Sequence, residues 1–202
     1  MKWIKSYKEM ILESNEMRYL DKELFKQLML PYTNPGRSDD RIRELLKAGA
    51  DPNVKFHLFD DMRPLHLIAM SNYPMLIDSF LEAGAEIEAR DKRGRTPLHV
   101  AVYNLEQLTV EKLLDAGADP VAKNGEGQTP LNMLKSSFEN VLDTLVRPMI
   151  KTLIKHGASP SQAFETMEEF KDYFFDDISW YEGDMQDLER KFMAVSTRKK
   201  LF

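Results

Sequence analysis

The sequence of 202 residues contains no cysteine. Disulfides, thiolate nucleophiles, iron–sulfur clusters and cysteine-ligated zinc sites are therefore excluded. No apolar run approaches the roughly 20 residues that a membrane-spanning helix needs, so we expect no membrane partner. The first residues, Met1 to Glu9, have neither an apolar stretch nor a small-residue cleavage site, and they predict no secretory signal. Because the lack of cysteine fits a reducing compartment, we expect a cytoplasmic protein.

Positive charge is also in short supply. The chain carries 28 Lys and Arg residues against 33 Asp and Glu residues, for a formal net charge of −5. Binding to nucleic acid requires a basic surface that neutralises phosphates, and we therefore expect no nucleic-acid partner. Residues 90–95 are a local exception, because four of these six residues are Lys or Arg.

Motifs that carry enzyme chemistry are missing as well. The four histidines are isolated from one another, and the chain has no His-Glu-x-x-His, Gly-x-Ser-x-Gly or Gly-x-x-x-x-Gly-Lys motif. Adjacent carboxylates occur at 60–61, 168–169 and 176–177, but such pairs are usually solvated surface. We expect no enzymatic activity, no cofactor and no metal. The rival hypothesis, an enzyme, would have to place its chemistry in residues 161–202.

What the sequence does contain is an internal repeat. One string recurs at a period of 33 residues, as Arg63-Pro64-Leu65-His66, Thr96-Pro97-Leu98-His99 and Thr129-Pro130-Leu131-Asn132. A second string, in which Gly-Ala follows a pair of apolar residues, places glycines at Gly49, Gly84, Gly117 and Gly157. Two unlike strings that share a period of 33 to 40 residues indicate stacked structural units.

Each string has a physical reason to recur. The Thr96 hydroxyl can accept a backbone N–H at a helix start, and Pro97 loses no hydrogen bond in the first turn. Gly117 can adopt the left-handed conformation that closes a helix end. We interpret Gly125 as a turn glycine, and we expect Gly117→Val to cost more stability than Gly125→Ala, because only Gly117 is a required helix cap.

The clearest copy resembles an ankyrin repeat, since it reads Asp91-x-x-Gly94-x-Thr96-Pro97-Leu98-His99 and then Leu113-Leu114-Asp115-Ala116-Gly117-Ala118-Asp119. The resemblance covers about residues 39–160. It implies an all-α solenoid of helix–turn–helix units, with short β-hairpin fingers and helical caps at both ends. We expect a single ankyrin-repeat domain over 1–202. Residues 1–38 would form the N-terminal helical cap and first inner helix, 39–160 the ankyrin repeats, and 161–202 the C-terminal helical cap.

The sequence departs from this pattern in its first and fourth units. The first finger, residues 54–62, is two residues longer than the second and has no glycine. Before it, we expect a helix over 2–19, an inner helix from Asp21 to Leu30 and an outer helix after Ser38. The fourth unit carries seven extra residues; 138–145 is predicted to be helical, and Pro148 is predicted to restart the outer helix at Arg147-Pro148.

The resemblance implies that a partner meets the finger tips and the exposed side of the inner helices, which line a concave surface. Met70 has a second interpretation, in which it packs on the next helix. Carried onto this sequence, the predicted partner-binding residues are Arg90, Lys92, Arg93, Arg95, Tyr103 and Asn104 in the clearest repeat, and Met62, Met70, Ser71, Lys123, Glu126 and Gln128 in its neighbours.

These observations predict a non-enzymatic protein–protein interaction module that is a monomer. Its protein partner would be acidic where it meets the Arg90–Arg95 finger, because guanidinium groups pair well with carboxylates. The alternative is that this finger carries ordinary solvated charge. Two variants of the binding hypothesis stay open: a bacterial effector secreted into a host cell, and an inhibitor or immunity protein. The aromatic and acidic segment 170–181 is interpreted as a cover for the end of the stack. Its alternatives are a second docking patch and an acidic mimic that blocks a basic partner site.

Overall fold

The computed structural model describes residues 18–30, 38–71, 73–134 and 143–162. Eight α-helices lie in these ranges, accompanied by three short 3₁₀ turns. The helices are α1 Tyr19–Met29, α2 Asp39–Lys47, α3 Pro64–Met70, α4 Ile77–Glu82, α5 Pro97–Tyr103, α6 Gln107–Asp115, α7 Pro130–Leu134 and α8 Asp143–Lys155. The 3₁₀ turns are His57–Phe59, Pro74–Leu76 and Pro160–Gln162.

The helices form a stack of antiparallel pairs. Helices α1, α3, α5 and α7 contact one another in that order and make an inner row. Each of them also contacts the helix that follows it in the chain, so α2, α4, α6 and α8 make an outer row. A helix pair cannot enclose its own apolar face, and stacking against the next pair buries that face on both sides. The predicted helical solenoid is confirmed.

One continuous core runs through the stack because each repeat contributes the same apolar positions. Leu65, Leu98 and Leu131, which follow the three repeated prolines, are each 1% exposed or less. The core extends from Leu24 in α1 to Ala158 beyond α8. Burying a leucine side chain of this kind contributes about 1.5–3 kcal/mol, so the recurring string supplies stability as well as a helix start.

The predicted glycine caps are present at the end of each outer helix. Gly49, Gly84, Gly117 and Gly157 have φ between +92° and +107°. In the third unit the N–H of Gly117 donates to the carbonyl of Leu114 at 2.9 Å, and the N–H of Ala118 donates to that of Leu113 at 2.9 Å. This pair of bonds is the Schellman motif, which closes a helix end only when the capping residue is left-handed.

The chain that follows each of the first three caps is held by a side-chain oxygen about one repeat length earlier in the sequence. Asp21 Oδ1 accepts the N–H of Asp51 at 2.7 Å, and Asn53 Oδ1 accepts the N–H of Glu86 at 2.8 Å. Glu88 Oε1 then accepts the N–H of Asp119 at 2.9 Å. The three bonds repeat along the stack and hold each unit in register with its neighbour.

The fingers are tight turns. Asp91 N–H donates to the carbonyl of Arg95 at 3.0 Å, and Asn124 N–H donates to that of Gln128 at 2.9 Å. The predicted β-hairpin fingers are not confirmed as strands, because the described ranges contain one isolated antiparallel bridge, Phe56–Met62, and no strand. Each of these turns is closed by its own backbone bond, and further backbone bonds join neighbouring fingers.

Neighbouring finger tips touch through their backbones. The N–H of Gly125 donates to the carbonyl of Arg93 at 2.8 Å. A Cβ on Gly94 would lie 2.7 Å from the nitrogen of Gly125, and a Cβ on Gly125 would lie 2.7 Å from the Arg93 carbonyl oxygen. Gly125 lies in a turn, as predicted, but its close contact with the neighbouring finger was not predicted.

The N-terminal end of the described chain agrees with the sequence. Helix α1 lies where the first inner helix was predicted, and it buries Leu24, Phe25 and Leu28. Ser38 caps α2, because its side chain accepts the N–H of Arg41 at 3.2 Å. The predicted helix over 2–19 falls outside the described residues up to position 17, and so does the C-terminal cap from position 163 onward.

The fourth unit differs from the prediction. Helix α8 begins at Asp143 and runs through Pro148, so the predicted restart at Arg147-Pro148 is wrong. Pro148 is the sixth residue of α8 and contributes no N–H, so the carbonyl of Thr144, four residues earlier, receives no helical hydrogen bond from it. The predicted helix at 138–145 lies outside the described residues up to position 142.

We predict that two kinds of glycine differ in the cost of replacement by alanine. Gly84 and Gly117 have left-handed φ with nothing within 4 Å of the point that a Cβ would occupy, so Gly84→Ala and Gly117→Ala should each cost about 1 kcal/mol of unfolding free energy. Gly94→Ala should cost more, because its Cβ would also strike the backbone of Gly125. Urea denaturation of the three variants measures this. A Gly94→Ala loss no larger than the other two would contradict the finger contact.

Candidate functional site

Two buried histidines connect the repeats. The Nδ1 atom of His66 accepts the N–H of Arg63 at 3.2 Å, and its Nε2 lies 2.9 Å from the carbonyl oxygen of Arg95 in the next finger. His99 repeats the arrangement one unit further on, with its Nε2 3.0 Å from the Gln128 carbonyl. His66 and His99 thus have a structural role that extends from their own turn to the next finger.

These contacts require neutral imidazole rings. Nδ1 accepts a backbone N–H and Nε2 must donate to a carbonyl oxygen, which is the bonding pattern of the neutral Nε2–H tautomer. Burial lowers the pKa of both His66 and His99, and the hydrogen bond to the carbonyl of Arg95 or Gln128 opposes this only in part. Both rings therefore serve the scaffold and are inaccessible to a partner.

The basic finger divides into structural and available cations. Arg95 Nε contacts the buried Asp91 Oδ2 at 2.7 Å, and the Arg95 side chain is only 14% exposed. Asp91 Oδ1 also accepts the N–H groups of Arg93 and Arg95 at 2.9 and 2.8 Å. The carboxylate thus organises the turn from inside, and Arg95 neutralises it. The sequence did not reveal this role, although an Asp or Asn opens both finger turns, at Asp91 and Asn124.

Arg90 is occupied in a different way. Its Nη1 donates to the carbonyl of Gly94 at 2.8 Å and also to the carbonyl of Lys123, so this guanidinium joins the second and third fingers. Among the predicted cations, Lys92, Arg93 and Lys123 therefore remain with outward-facing charge, and all three are exposed. The structure brings these three together at adjacent tips, because Gly125 holds the third finger against the second.

The inner helices contribute a mixed surface. Tyr103, at the end of α5, is 66% exposed, while the Nδ2 of its neighbour Asn104 donates to the carbonyl of Val100 at 2.8 Å. Met62 and Met70 are partly buried and pack against the core, which supports the packing interpretation of Met70. Ser71 closes α3 through its backbone N–H, which donates to the carbonyls of Leu67 and Ile68. Tyr103 is thus a large exposed side chain at the end of a central inner helix.

The third finger supplies polar groups. The side chain of Glu126 is exposed, and its N–H donates to Asn124 Oδ1 at 2.9 Å. Gln128 is half-buried. Its N–H also donates to Asn124 Oδ1, and its carbonyl accepts from His99. Asn124 therefore takes the place that Asp91 has in the second finger. An amide there leaves this turn without the negative charge that Arg95 balances in its neighbour.

Comparison with known proteins decides the family. A family model of ankyrin repeats, in three copies, matches residues 28–124 and 65–163, which together span more than half of the chain. The chain belongs to the ankyrin repeat family. Repeats of this family generally act as protein–protein interaction modules, and they are generally non-enzymatic.

Curated relatives match a shorter ankyrin segment. Protein fem-1 homolog A-like and protein fem-1 homolog A-A, both from Mus musculus, are 38% identical over 55 residues, which is 27% of this chain. Potassium channel KOR2 from Oryza sativa subsp. japonica is 33% identical over 57 residues, or 28% of this chain. The chain covers 8% of the length of each of these relatives. The likeness thus covers a short segment of this chain and of each relative.

The remaining candidate residues for metal binding or catalysis do not form a cluster in the described ankyrin repeats. No group of three His, Asp or Glu side chains that could hold a metal ion occurs in the described ranges. His57 pairs with Asp61, Nδ1 to Oδ1 at 2.6 Å, and is 80% exposed. No helix in these ranges is long and apolar enough to cross a membrane. The acidic pairs at 168–169 and 176–177, the segment 170–181, and the rival enzyme hypothesis from position 163 onward lie outside the described residues.

We predict that stability falls as the pH drops below about 6.5, because the unfolded histidines take up protons at that pH while the buried ones do not. Burial lowers the pKa of His66 and His99, so the unfolded state binds more protons and each histidine costs up to about 1.4 kcal/mol per pH unit. Urea denaturation at pH 7.5, 6.5 and 5.5 measures the slope.

The matched variant is His99→Asn, since Asn132 already fills the equivalent position, where its Oδ1 accepts the N–H of Thr129 at 3.1 Å. The variant should be less stable at pH 7.5 and lose less stability on acidification. An unchanged slope would show that His99 is not held neutral in the fold.

Proposed function

We propose that this ankyrin-repeat chain binds a protein partner on the surface formed by its finger tips and the exposed side of its inner helices. The observation that carries the proposal is the exposure of Tyr103 and Arg93, each 66% exposed, on a scaffold whose neighbouring charges are largely engaged. Tyrosine and arginine are the residue types that tend to dominate the energy of protein interfaces. Lys92 and Lys123 extend the positive charge on either side of Arg93.

The rigidity of the tips supports binding. Lys92 N–H donates to the carbonyl of Asp60 at 2.6 Å, and Gly125 N–H donates to the carbonyl of Arg93 at 2.8 Å, so three successive fingers are joined by backbone bonds. A surface that is ordered before association loses less conformational entropy when a partner binds. The exposed side chains are therefore presented from a fixed backbone.

The finer parts of the hypothesis concern the partner and its location. We propose a partner that is acidic where it meets Lys92, Arg93 and Lys123, and a cytoplasmic, monomeric protein. Effector, inhibitor and immunity roles are variants of the same binding activity. They differ in the partner that is captured, and the same experiment separates them.

The test is affinity capture from the native lysate by the immobilised chain, followed by titration of the captured protein. Arg93→Ala combined with Tyr103→Ala should weaken capture at least tenfold, since both side chains are exposed and the side-chain ion pair of Arg93 with Asp60 is itself exposed. Arg95 stays unchanged in this variant, because its contact with the buried Asp91 makes it part of the scaffold.

The control variant combines Arg41→Ala with Leu108→Ala. These residues lie on the outer helices α2 and α6, and Leu108 is 61% exposed, close to the value for Tyr103. The control should keep full capture and an unchanged melting temperature. Equal binding by the Arg93/Tyr103 variant and the control would place the binding surface elsewhere.

A further inference from the structure

The first finger supplies a carboxylate to the second. Asp60 Oδ2 lies 3.2 Å from Arg93 Nε, and the two side chains are 43% and 66% exposed. The contact uses one nitrogen of a guanidinium that can offer a two-nitrogen fork to a carboxylate. This is an open, single-contact ion pair in which the acceptor belongs to the protein itself.

The backbone holds Asp60 in an uncommon conformation. Asp60 and Asp61 both have left-handed φ, +54° and +56°, without being glycines. Aspartate and asparagine tolerate this region better than other residues, but each such residue still costs of order 1 kcal/mol or more. The two neighbouring carboxylates have different partners. Asp60 contacts Arg93, and Asp61 contacts His57.

The packing of the first finger maintains that conformation. Phe56 is 1% exposed, and its ring lies 4.6 Å from that of Phe25 in α1, centroid to centroid. Phe59 lies 5.5 Å from the same Phe25 ring. The extra length of this finger lets it fold over the first inner helix, and the bond from Lys92 N–H fixes the Asp60 carbonyl. Asp60 is therefore anchored independently of its ion pair.

We propose that an acidic peptide segment binds Arg93 in place of Asp60. Asp60 therefore competes with the carboxylates of that segment for the same guanidinium. The inference rests on the proposed function and names the chemistry of its partner. Binding of such a segment exchanges the single Nε contact for a carboxylate pair on Arg93, flanked by Lys92 and Lys123. The exchange lowers the affinity for isolated acidic groups and favours a segment that offers several.

The surrounding charges favour an acidic peptide over a nucleic acid. Asp60 and Asp61 flank the cations on one side and Glu126 flanks them on the other, in a chain whose net charge is −5. A nucleic acid has one phosphate per nucleotide and would extend across these acids, whereas a short peptide can confine its carboxylates to the three cations.

The experiment titrates a fluorescein-labelled hexaglutamate peptide into the full chain and follows anisotropy at low salt. Asp60→Asn removes the competing charge, keeps the side-chain shape, and keeps a residue that tolerates left-handed φ. We expect it to bind hexaglutamate about two- to fivefold more tightly, the range that an exposed ion pair supports.

The matched control is Asp61→Asn, which makes the same change of charge one residue away from the ion pair, in the same backbone conformation. It should gain less affinity than Asp60→Asn, through long-range electrostatics alone. The double variant Asp60→Asn/Arg93→Ala should show no gain over Arg93→Ala, because the competition acts through that guanidinium. Thermal melts verify that each variant is folded.

Three results would overturn the inference: equal gains for Asp60→Asn and Asp61→Asn, a gain that persists without Arg93, or a larger gain for a labelled single-stranded DNA hexanucleotide than for hexaglutamate. The last result would assign the tips to nucleic acid. None of these depends on the lysate experiment, in which the Arg93/Tyr103 variant tests the proposed function by itself. The two hypotheses can therefore fail separately.

Discussion

Each imidazole of the inner row holds the start of its own helix with one nitrogen and the next finger with the other. This double contact sets the spacing between units on the finger side, while the apolar core sets it on the helix side. His66 and His99 are buried, so the hydrogen bonds from Nε2 to the carbonyls of Arg95 and Gln128 are shielded from water. A buried ring that lost its partner would leave an unsatisfied polar group, which costs about 1–3 kcal/mol.

The position of the fingers follows from this constraint, and the charge pattern follows from the fingers. Because the second and third tips are in contact, Arg90 can reach the carbonyl of Lys123. Within the second finger, Arg95 forms an ion pair with the buried Asp91. Half of the basic finger is thereby used to assemble the scaffold. The rest, Lys92 and Arg93, is displayed beside Lys123 from the next unit. A basic cluster in the sequence thus becomes a smaller cluster of available charge in the fold.

The sequence predicted the parts of the fold that depend on neighbours along the chain. Thr96-Pro97 starts a helix and Gly117 ends one for local reasons, and both were identified from residue type and spacing. The close contact of Gly125 and the structural role of Arg95 were not predicted, because the first depends on a residue in another finger and the second on a buried carboxylate. The predicted helix restart at Pro148 was wrong, because the general rule on proline in helices does not give the residue at which a helix begins. For the surface, residue type indicated Tyr103 and Arg93, but only contacts separate Arg93 from Arg95.

The backbone contact between Gly94 and Gly125 has a consequence for how such a surface can diversify. The two positions form a strip along the tips where no side chain fits, so any change of specificity there must come from the residues on either side. A combinatorial library built on this chain would keep both glycines, together with Asp91 and Arg95. It would randomise Lys92, Arg93, Lys123 and Glu126, whose side chains leave the strip and enter solvent.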